Sequence, residues 1–202
     1  MPPRNDSIGC AFGLDTPASV YQMVQALAGE GLRLQYGFKD GKDIIERIIA
    51  GLTNDGRWLP EEEMLKRSAD TVSGTQYRTW FHTFGAKVQE KMTEDWGEAP
   101  GEFMTVEDQI LIPGIRNGNL FIGLQPPRAF EEKAEQCYHS TDMVCPHQYL
   151  AYYKWIEHVF RADVIVHVGT HGTLEWLPVK EIGLSADCYP DMAIGSLPHL
   201  YV

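Results

Sequence analysis

Hydrophobic and polar residues follow two different periods along this chain, and the two periods alternate. Short apolar runs at 8–14, 119–125 and 163–169, together with the alternating run 32–38, predict four strands. Apolar residues recur at helical spacing between these runs, and Thr16 with Pro17 marks a helix start, with Thr16 as the N-cap. Alternation of this kind predicts an α/β fold with a mainly parallel sheet flanked by helices.

The helical segments group into one long stretch and two separate helices. The predicted helices lie after Pro17, around 44–51, after Pro60, over 74–95 and over 146–160. Three of them fall within 42–98, which predicts a helical insertion inside one domain that spans 1–202. Glu61, Glu62 and Glu63 follow Pro60, where acidic residues favour the first turn of a helix.

Composition excludes several classes of function. The chain has 202 residues, a net charge of −11 and no cluster of Lys and Arg, so nucleic-acid binding is not expected. It has no apolar run long enough for a membrane span and no signal-peptide core. Its four cysteines form no Cys-x-x-Cys pair, which predicts reduced thiols and a cytoplasmic location. Both ends have the character of a piece cut from a longer protein.

The strongest candidate for chemistry follows the fourth predicted strand. His167, His171 and Glu175 recur at one spacing on a glycine-rich bend that contains Gly169 and Gly172. Imidazole and carboxylate groups bind borderline divalent metals, and neutral histidine also accepts protons near neutral pH. The alternative is structural, with His167 as a hydrogen-bonded core histidine and the other two paired with backbone groups.

Two further clusters leave alternatives open. Cys137, His139, Cys145 and His147 are too crowded for the usual two-pair zinc site, so an ordinary loop is favoured, although its histidines can still line a cleft. The turn from Gln125 to Arg128 either binds a carboxylate through the arginine or lies on the surface. The chain has no P-loop motif, so it does not hydrolyse ATP through one.

Longer motifs resemble a known family. The run His167-Val-Gly-Thr-His-Gly-Thr-Leu-Glu-Trp-Leu-Pro-Val-Lys180 resembles the large subunit of the ATP-dependent tetrapyrrole metal chelatases, which include the cobaltochelatase CobN subunit and the magnesium chelatase H subunit. The resemblance extends to the segments 13–19, 96–101, 118–128, 138–140, 146–153, 183–185, 188–191, 194–195 and 197–201. It therefore covers nearly the whole chain, as a fragment of the large-subunit core domain.

The resemblance implies an enzyme of the ligase type that forms nitrogen–metal bonds. The large subunit binds the tetrapyrrole and a divalent metal substrate, while separate AAA+ motor subunits use ATP and magnesium. The implied metal ligands are His167, His171 and Glu175, with Glu175 and His171 as catalytic groups. The implied substrate-binding residues are Gln125, Arg128, His139, Tyr153 and Trp176, with the aromatic residues stacking on the macrocycle and Arg128 holding a carboxylate.

The resemblance favours cobalt over magnesium. The segment from Leu174 to Pro178 is closer to the cobalt branch, which implies insertion into a corrin precursor in cobalamin biosynthesis. Magnesium insertion into protoporphyrin IX is the alternative, and a tetrapyrrole-binding module without catalysis and a metal-dependent hydrolase are rivals. Val179 stands where the family usually has glycine, and the family continues beyond Tyr201. The fragment alone is therefore expected to be inactive.

Overall fold

The computed structural model describes residues 8–11, 13–56, 58–130, 133, 142–170, 172–178 and 184–202. In chain order the elements are β1 (Cys10–Ala11), β2 (Leu14–Asp15), α1 (Thr16–Gly29), α2 (Gly41–Ala50), α3 (Glu61–Arg67), β3 (Asp70–Ser73), α4 (Gly74–Phe81), α5 (Ala86–Trp96), β4 (Thr105–Val106), β5 (Gln109–Ile112), β6 (Ile115–Asn117), β7 (Leu120–Ile122), α6 (His147–Trp155), a π-helical turn (Ile156–Phe160), β8 (Ile165–His167), a 3-10 turn (Thr173–Trp176), α7 (Tyr189–Ile194) and β9 (His199–Tyr201). Helices and strands mix throughout, so the predicted α/β class is confirmed.

The sheet arrangement corrects the prediction of a mainly parallel sheet. Among the described residues the strands form four small sheets, and the pairs β1–β2, β3–β5, β4–β5 and β6–β7 are all antiparallel. The one parallel pair described joins β8 to β9. The predicted strand at 8–14 is divided between β1 and β2, which pair with each other. Gly13 lies at this reversal with φ +76°, a conformation that favours glycine.

The predicted strand at 32–38 is not a strand, because a side chain takes its backbone hydrogen bonds. The amides of Gln35 and Tyr36 donate to Asn117 Oδ1 at 2.7 and 3.1 Å, and the Asn117 amide donates to the Tyr36 carbonyl at 2.8 Å. Asn117 is fully buried at the end of β6. One side chain thus provides the partners that a neighbouring strand would otherwise supply.

The helices follow the predicted periods, with two differences. Asp15 is the N-cap of α1, since its carboxylate accepts from the Ala18 amide at 3.1 Å, so Thr16 is not the cap. The segment 74–95 forms two helices, α4 and α5, because a turn that ends at Gly85 separates them. The segment 42–98 holds β3 as well as helices, and its role as an insertion stays a prediction.

The main core surrounds α6. All nine residues of this helix are buried, including the fully buried ring of Trp155, so α6 has no solvent face. Trp155 donates to Asp70 Oδ2 at 3.0 Å and packs on Phe121 and Phe160. A second core, between α1, α2 and the β6–β7 hairpin, centres on Val24, Phe38, Ile44 and Ile48. No helix in the described part of the chain is long and apolar enough to cross a membrane.

Candidate functional site

A cleft of about 710 Å³ separates the α1–α2 layer from strand β8. Apolar side chains of the two helices and of β7 form most of its wall: Val20, Met23, Val24, Leu27, Ile44, Ile45, Ile48, Leu120 and Ile122. Polar groups meet at one end, where Gln125, His167, Gly172 and Tyr201 line the same cavity. Thr16 also lines it, so residues after three of the predicted strands converge here. A cavity of this size and character can hold a large, mainly apolar ligand.

His167 is the centre of a hydrogen-bonded chain at the polar end of the cleft. Its Nε2 lies 3.1 Å from the Tyr153 hydroxyl, which accepts from the Gln125 amide at 2.9 Å. Its Nδ1 lies 3.0 Å from Nε2 of His199, which β9 places beside β8. Both imidazole nitrogens therefore have partners, and the ring has a fixed orientation.

The same network holds the 3-10 turn that carries Glu175. The Thr173 amide donates to Gln125 Oε1 at 2.6 Å, and the Thr173 hydroxyl donates to the Pro126 carbonyl at 3.2 Å. The hydroxyl of Tyr149, one turn before Tyr153 on α6, lies 2.9 Å from the Thr173 hydroxyl. Gln125 thus hydrogen bonds to both parts of the site. Its side chain donates to Tyr153, which contacts His167, and accepts from the 3-10 turn at Thr173.

Glu175 lies on the solvent side of this end of the cleft. Its carboxylate accepts from the Gly172 amide at 3.4 Å and is hydrogen bonded to the Tyr201 side chain. Burial, followed by the interaction with Glu175, raises the pKa of Tyr201 to about 12. Tyr201 is the register partner of His167, so the carboxylate and the imidazole approach one another across β8 and β9.

Burial sets the protonation state of His167. Burial of the ring, with a smaller effect of the neighbouring His199, lowers the pKa of His167 to about 4, although the Glu175 carboxylate opposes the change. The imidazole is therefore neutral near pH 7. Neutral imidazole is the form that binds metals and accepts protons.

This pKa predicts a loss of stability in mild acid. Between pH 6.5 and 4 an unfolded His167 takes up a proton that the folded protein excludes, so the free energy of unfolding falls as the pH falls. The His167→Gln variant is expected to lose about 1–3 kcal/mol less than the wild type between pH 7 and 4.5. Urea denaturation at the two pH values measures the difference. Equal losses in the two proteins would contradict the low pKa.

Two of the predicted substrate-binding residues, Tyr153 and Arg128, have unexpected surroundings. Tyr153 is 1% exposed, so its ring packs in the core and does not stack on a macrocycle, and its hydroxyl contacts His167. Arg128 Nη1 donates to the Trp176 carbonyl and is not among the residues that line the cleft. Trp176 is 58% exposed, and its ring remains a candidate stacking surface. Gln125 lines the cleft, and its role in substrate binding stays a prediction.

Two predicted residues, His171 and His139, lie outside the described residues. The described residues contain no group of three or more His, Cys, Asp or Glu side chains close enough to hold one metal ion. The metal site predicted from His167, His171 and Glu175 therefore stays a prediction.

Of the cluster Cys137, His139, Cys145 and His147, the structure describes Cys145 and His147, and both are buried. His147 is 1% exposed, with Nδ1 at 3.0 Å from the Tyr77 hydroxyl and Nε2 at 2.9 Å from the Gly97 carbonyl. Cys145 is also fully buried in the main core. His147 is thus a core histidine and does not line a cleft, because both of its nitrogens are satisfied inside the protein.

Sequence reasoning missed three residues of the site. His199 and Tyr201 alternate along a short strand, which indicates a shared face but not a partner strand. Arg161 lines the cleft at the end of the π-helical turn, where its φ of +59° closes that turn. The resemblance to the chelatase family includes the segment 197–201 but assigns no role to His199 or Tyr201, and Arg161 lies outside the resembling segments.

Comparisons with known proteins show the family to which this chain belongs. A family model described as CobN/Magnesium Chelatase matches residues 1–202. The aerobic cobaltochelatase subunit CobN of Pseudomonas aeruginosa is 36% identical over 99% of this chain, and the magnesium-chelatase subunit ChlH of rice (Oryza sativa) is 32% identical over 100% of this chain. The structure of the catalytic subunit of cobaltochelatase from Mycobacterium tuberculosis superposes on 95% of the chain with a TM-score of 0.80 and 37% identity.

The chain belongs to the CobN/magnesium chelatase family, whose members named here are large subunits of tetrapyrrole metal chelatases. It spans only about a sixth of the relatives that it matches, covering 16% of the Pseudomonas protein, 14% of the rice protein and 16% of the solved chain.

Proposed function

We propose that this chain forms the tetrapyrrole- and metal-binding part of an ATP-dependent chelatase and that the metal is cobalt, inserted into a corrin precursor in cobalamin biosynthesis. The observation that carries the proposal is the cleft of about 710 Å³, which is apolar along its helical wall and polar where His167 and Gln125 lie. A tetrapyrrole is a flat apolar ring with polar substituents. Its ring therefore suits the apolar helical wall, and its polar substituents suit the polar end of the cleft.

The residues at the polar end have the chemistry that insertion requires. Two pyrrole N–H protons must leave as the metal enters the ring. His167 is neutral at pH 7 and offers a nitrogen lone pair, while the Glu175 carboxylate, positioned by Gly172 and Tyr201, can accept a proton. Two arginines that line the cleft, Arg116 and Arg161, can hold peripheral carboxylates of the substrate.

Cobalt is favoured by the donor atoms and by the relatives. Imidazole nitrogens suit the later first-row divalent ions, whereas Mg²⁺ prefers oxygen ligands. The solved structure with a TM-score of 0.80 is a cobaltochelatase subunit. The match to the rice ChlH subunit over the full chain supports magnesium insertion into protoporphyrin IX as the second candidate. In either case AAA+ motor subunits are proposed to supply ATP hydrolysis, because this chain has no P-loop.

Tetrapyrrole binding tests this function. Absorbance and fluorescence titrations of the protein with a metal-free corrinoid and with protoporphyrin IX are expected to show tighter binding of the corrinoid. Val20→Trp fills the apolar wall of the cleft and is expected to weaken binding by at least about tenfold, or roughly 1.4 kcal/mol. Val159→Trp introduces the same ring at an exposed position that does not line the cleft, and should leave binding unchanged.

The outcomes separate the alternatives. Preferential binding of protoporphyrin IX would support the magnesium branch instead of cobalt. Binding of neither tetrapyrrole, or equal binding by the wild type and Val20→Trp, would exclude this cleft as the tetrapyrrole site.

A further inference from the structure

His199 brings a second imidazole to His167 from a different strand. Strands β8 and β9 are parallel, and the register pairs Ile165 with His199 and His167 with Tyr201. Paired residues share one face of a two-stranded sheet, so the side chains of His167, His199 and Tyr201 lie together. The ring centroids of the two histidines are 4.5 Å apart at 78°.

The two imidazole nitrogens are spaced as ligands of one metal ion. His167 Nδ1 and His199 Nε2 are 3.0 Å apart and point at each other. Nitrogen ligands lie about 2.0–2.1 Å from a divalent first-row metal, so two of them are about 2.9 Å apart at a right angle and about 3.3 Å apart at a tetrahedral angle. The observed separation falls between these values, so the two nitrogens are close enough to share one ion. Because they now point at each other, the ion would lie to one side of the line that joins them, and each ring must rotate to direct its lone pair at it.

The ring nitrogen of His167 that faces away from His199 already has a hydrogen-bond partner of the kind that metal-bound histidines have. A ligating imidazole commonly donates its other N–H to a fixed acceptor, which sets the orientation of the ring. Tyr153 lies 3.1 Å from His167 Nε2 and is itself held by Gln125. Glu175 interacts electrostatically with His167 and is hydrogen bonded to Tyr201, so a carboxylate is also close to the pair.

We propose that His199 is a direct ligand of the metal substrate and that it binds the same ion as His167, through His199 Nε2 and His167 Nδ1. The inference rests on the proposed function, since the ion is taken to be the metal that is inserted. His199 is the more exposed of the two rings, so an arriving ion meets it before His167.

Metal binding at this pair needs no change of net charge on the two rings. In the hydrogen-bonded pair one proton lies between the two nitrogens. When the ion binds, the ring that donated this proton takes it up on its other nitrogen, by exchange with solvent, so that both rings stay neutral and both facing nitrogens have a free lone pair. For His167 the outward nitrogen is Nε2, opposite the Tyr153 hydroxyl. Two imidazoles at one ion favour cobalt, nickel or zinc over magnesium, so the pair also contributes to metal choice.

Titration of the full chain with Co²⁺ alone tests the proposal. His199→Ala is expected to weaken Co²⁺ binding by at least about tenfold, a loss that a merely orienting partner would also cause. His199→Cys separates the two roles, because a thiolate bound directly to Co²⁺ gives a charge-transfer absorption in the near ultraviolet. The matched control is His82→Cys, at an exposed histidine after α4 whose ring contacts Gln89 and Phe81.

A new charge-transfer band in His199→Cys, absent from the wild type and from His82→Cys, is the expected result. Absence of that band, or unchanged Co²⁺ affinity in His199→Ala, would overturn the assignment of His199 as a ligand. Tetrapyrrole binding by the same His199 variants is measured separately from Co²⁺ binding. Loss of the proposed function would appear as failure to bind the tetrapyrrole, whatever the Co²⁺ result.

Discussion

In the complete chelatase, we expect Glu175→Gln to slow metal insertion by about 10²–10⁴-fold, the usual contribution of a general base. Glutamine keeps the size of the side chain and can still accept from the Gly172 amide, but it cannot take a pyrrole proton. The rate is measured as the conversion of the metal-free tetrapyrrole absorption to that of the metal complex, at saturating metal and ATP.

Glu90→Gln is the matched control for this measurement. Glu90 is an exposed glutamate on α5 and does not line the cleft, so its substitution should leave the insertion rate unchanged. An insertion rate of Glu175→Gln within twofold of the wild type would remove Glu175 from the proton-transfer step. Tetrapyrrole affinity of the same variant should stay near the wild-type value, because the amide preserves the local hydrogen bond.

The second large effect concerns stability. Trp155→Ala is expected to lower the free energy of unfolding by about 3–5 kcal/mol, since it leaves a large cavity in the main core. It also removes the hydrogen bond to Asp70 and the ring contacts with Phe121 and Phe160. Urea denaturation followed by circular dichroism measures the change.

Trp58→Ala provides the comparison, because Trp58 is 85% exposed. Its substitution is expected to change stability by no more than about 0.5 kcal/mol. If the two variants lost similar amounts of stability, the core would not be organised around α6 as described.

Most helices of this fold were predictable, because each depends on residues that are close in sequence. The isoleucines of α2 and the acidic first turn of α3 lie where the apolar period and the helix dipole predict them. Most strand pairings were not predictable. The apolar run 32–38 has the composition of a strand, but Asn117, 81–82 residues away, binds its backbone instead. Local propensity contains no information about such a partner.

The candidate site was predictable in part for the same reason. The spacing of His167, His171 and Glu175 drew attention to the bend that follows β8, and His167 and Gln125 both line the cleft, while their roles stay predictions. Tyr153 was expected to face the substrate, whereas α6 buries its ring and directs its hydroxyl to His167. The sequence offered no reason to pair His167 with His199, since that contact joins residues 32 positions apart.

The sequence by itself determined the family, the mixed class of the fold, the helical periods and the motif that contains His167 and Glu175. These features depend on residue types and short spacings, which the chain carries locally. The tertiary structure alone decided the pairing of β8 with β9, the burial that makes His167 neutral, and the approach of His199 to its Nδ1. Register and burial arise from contacts between distant segments, so their effects exist only once the chain has folded.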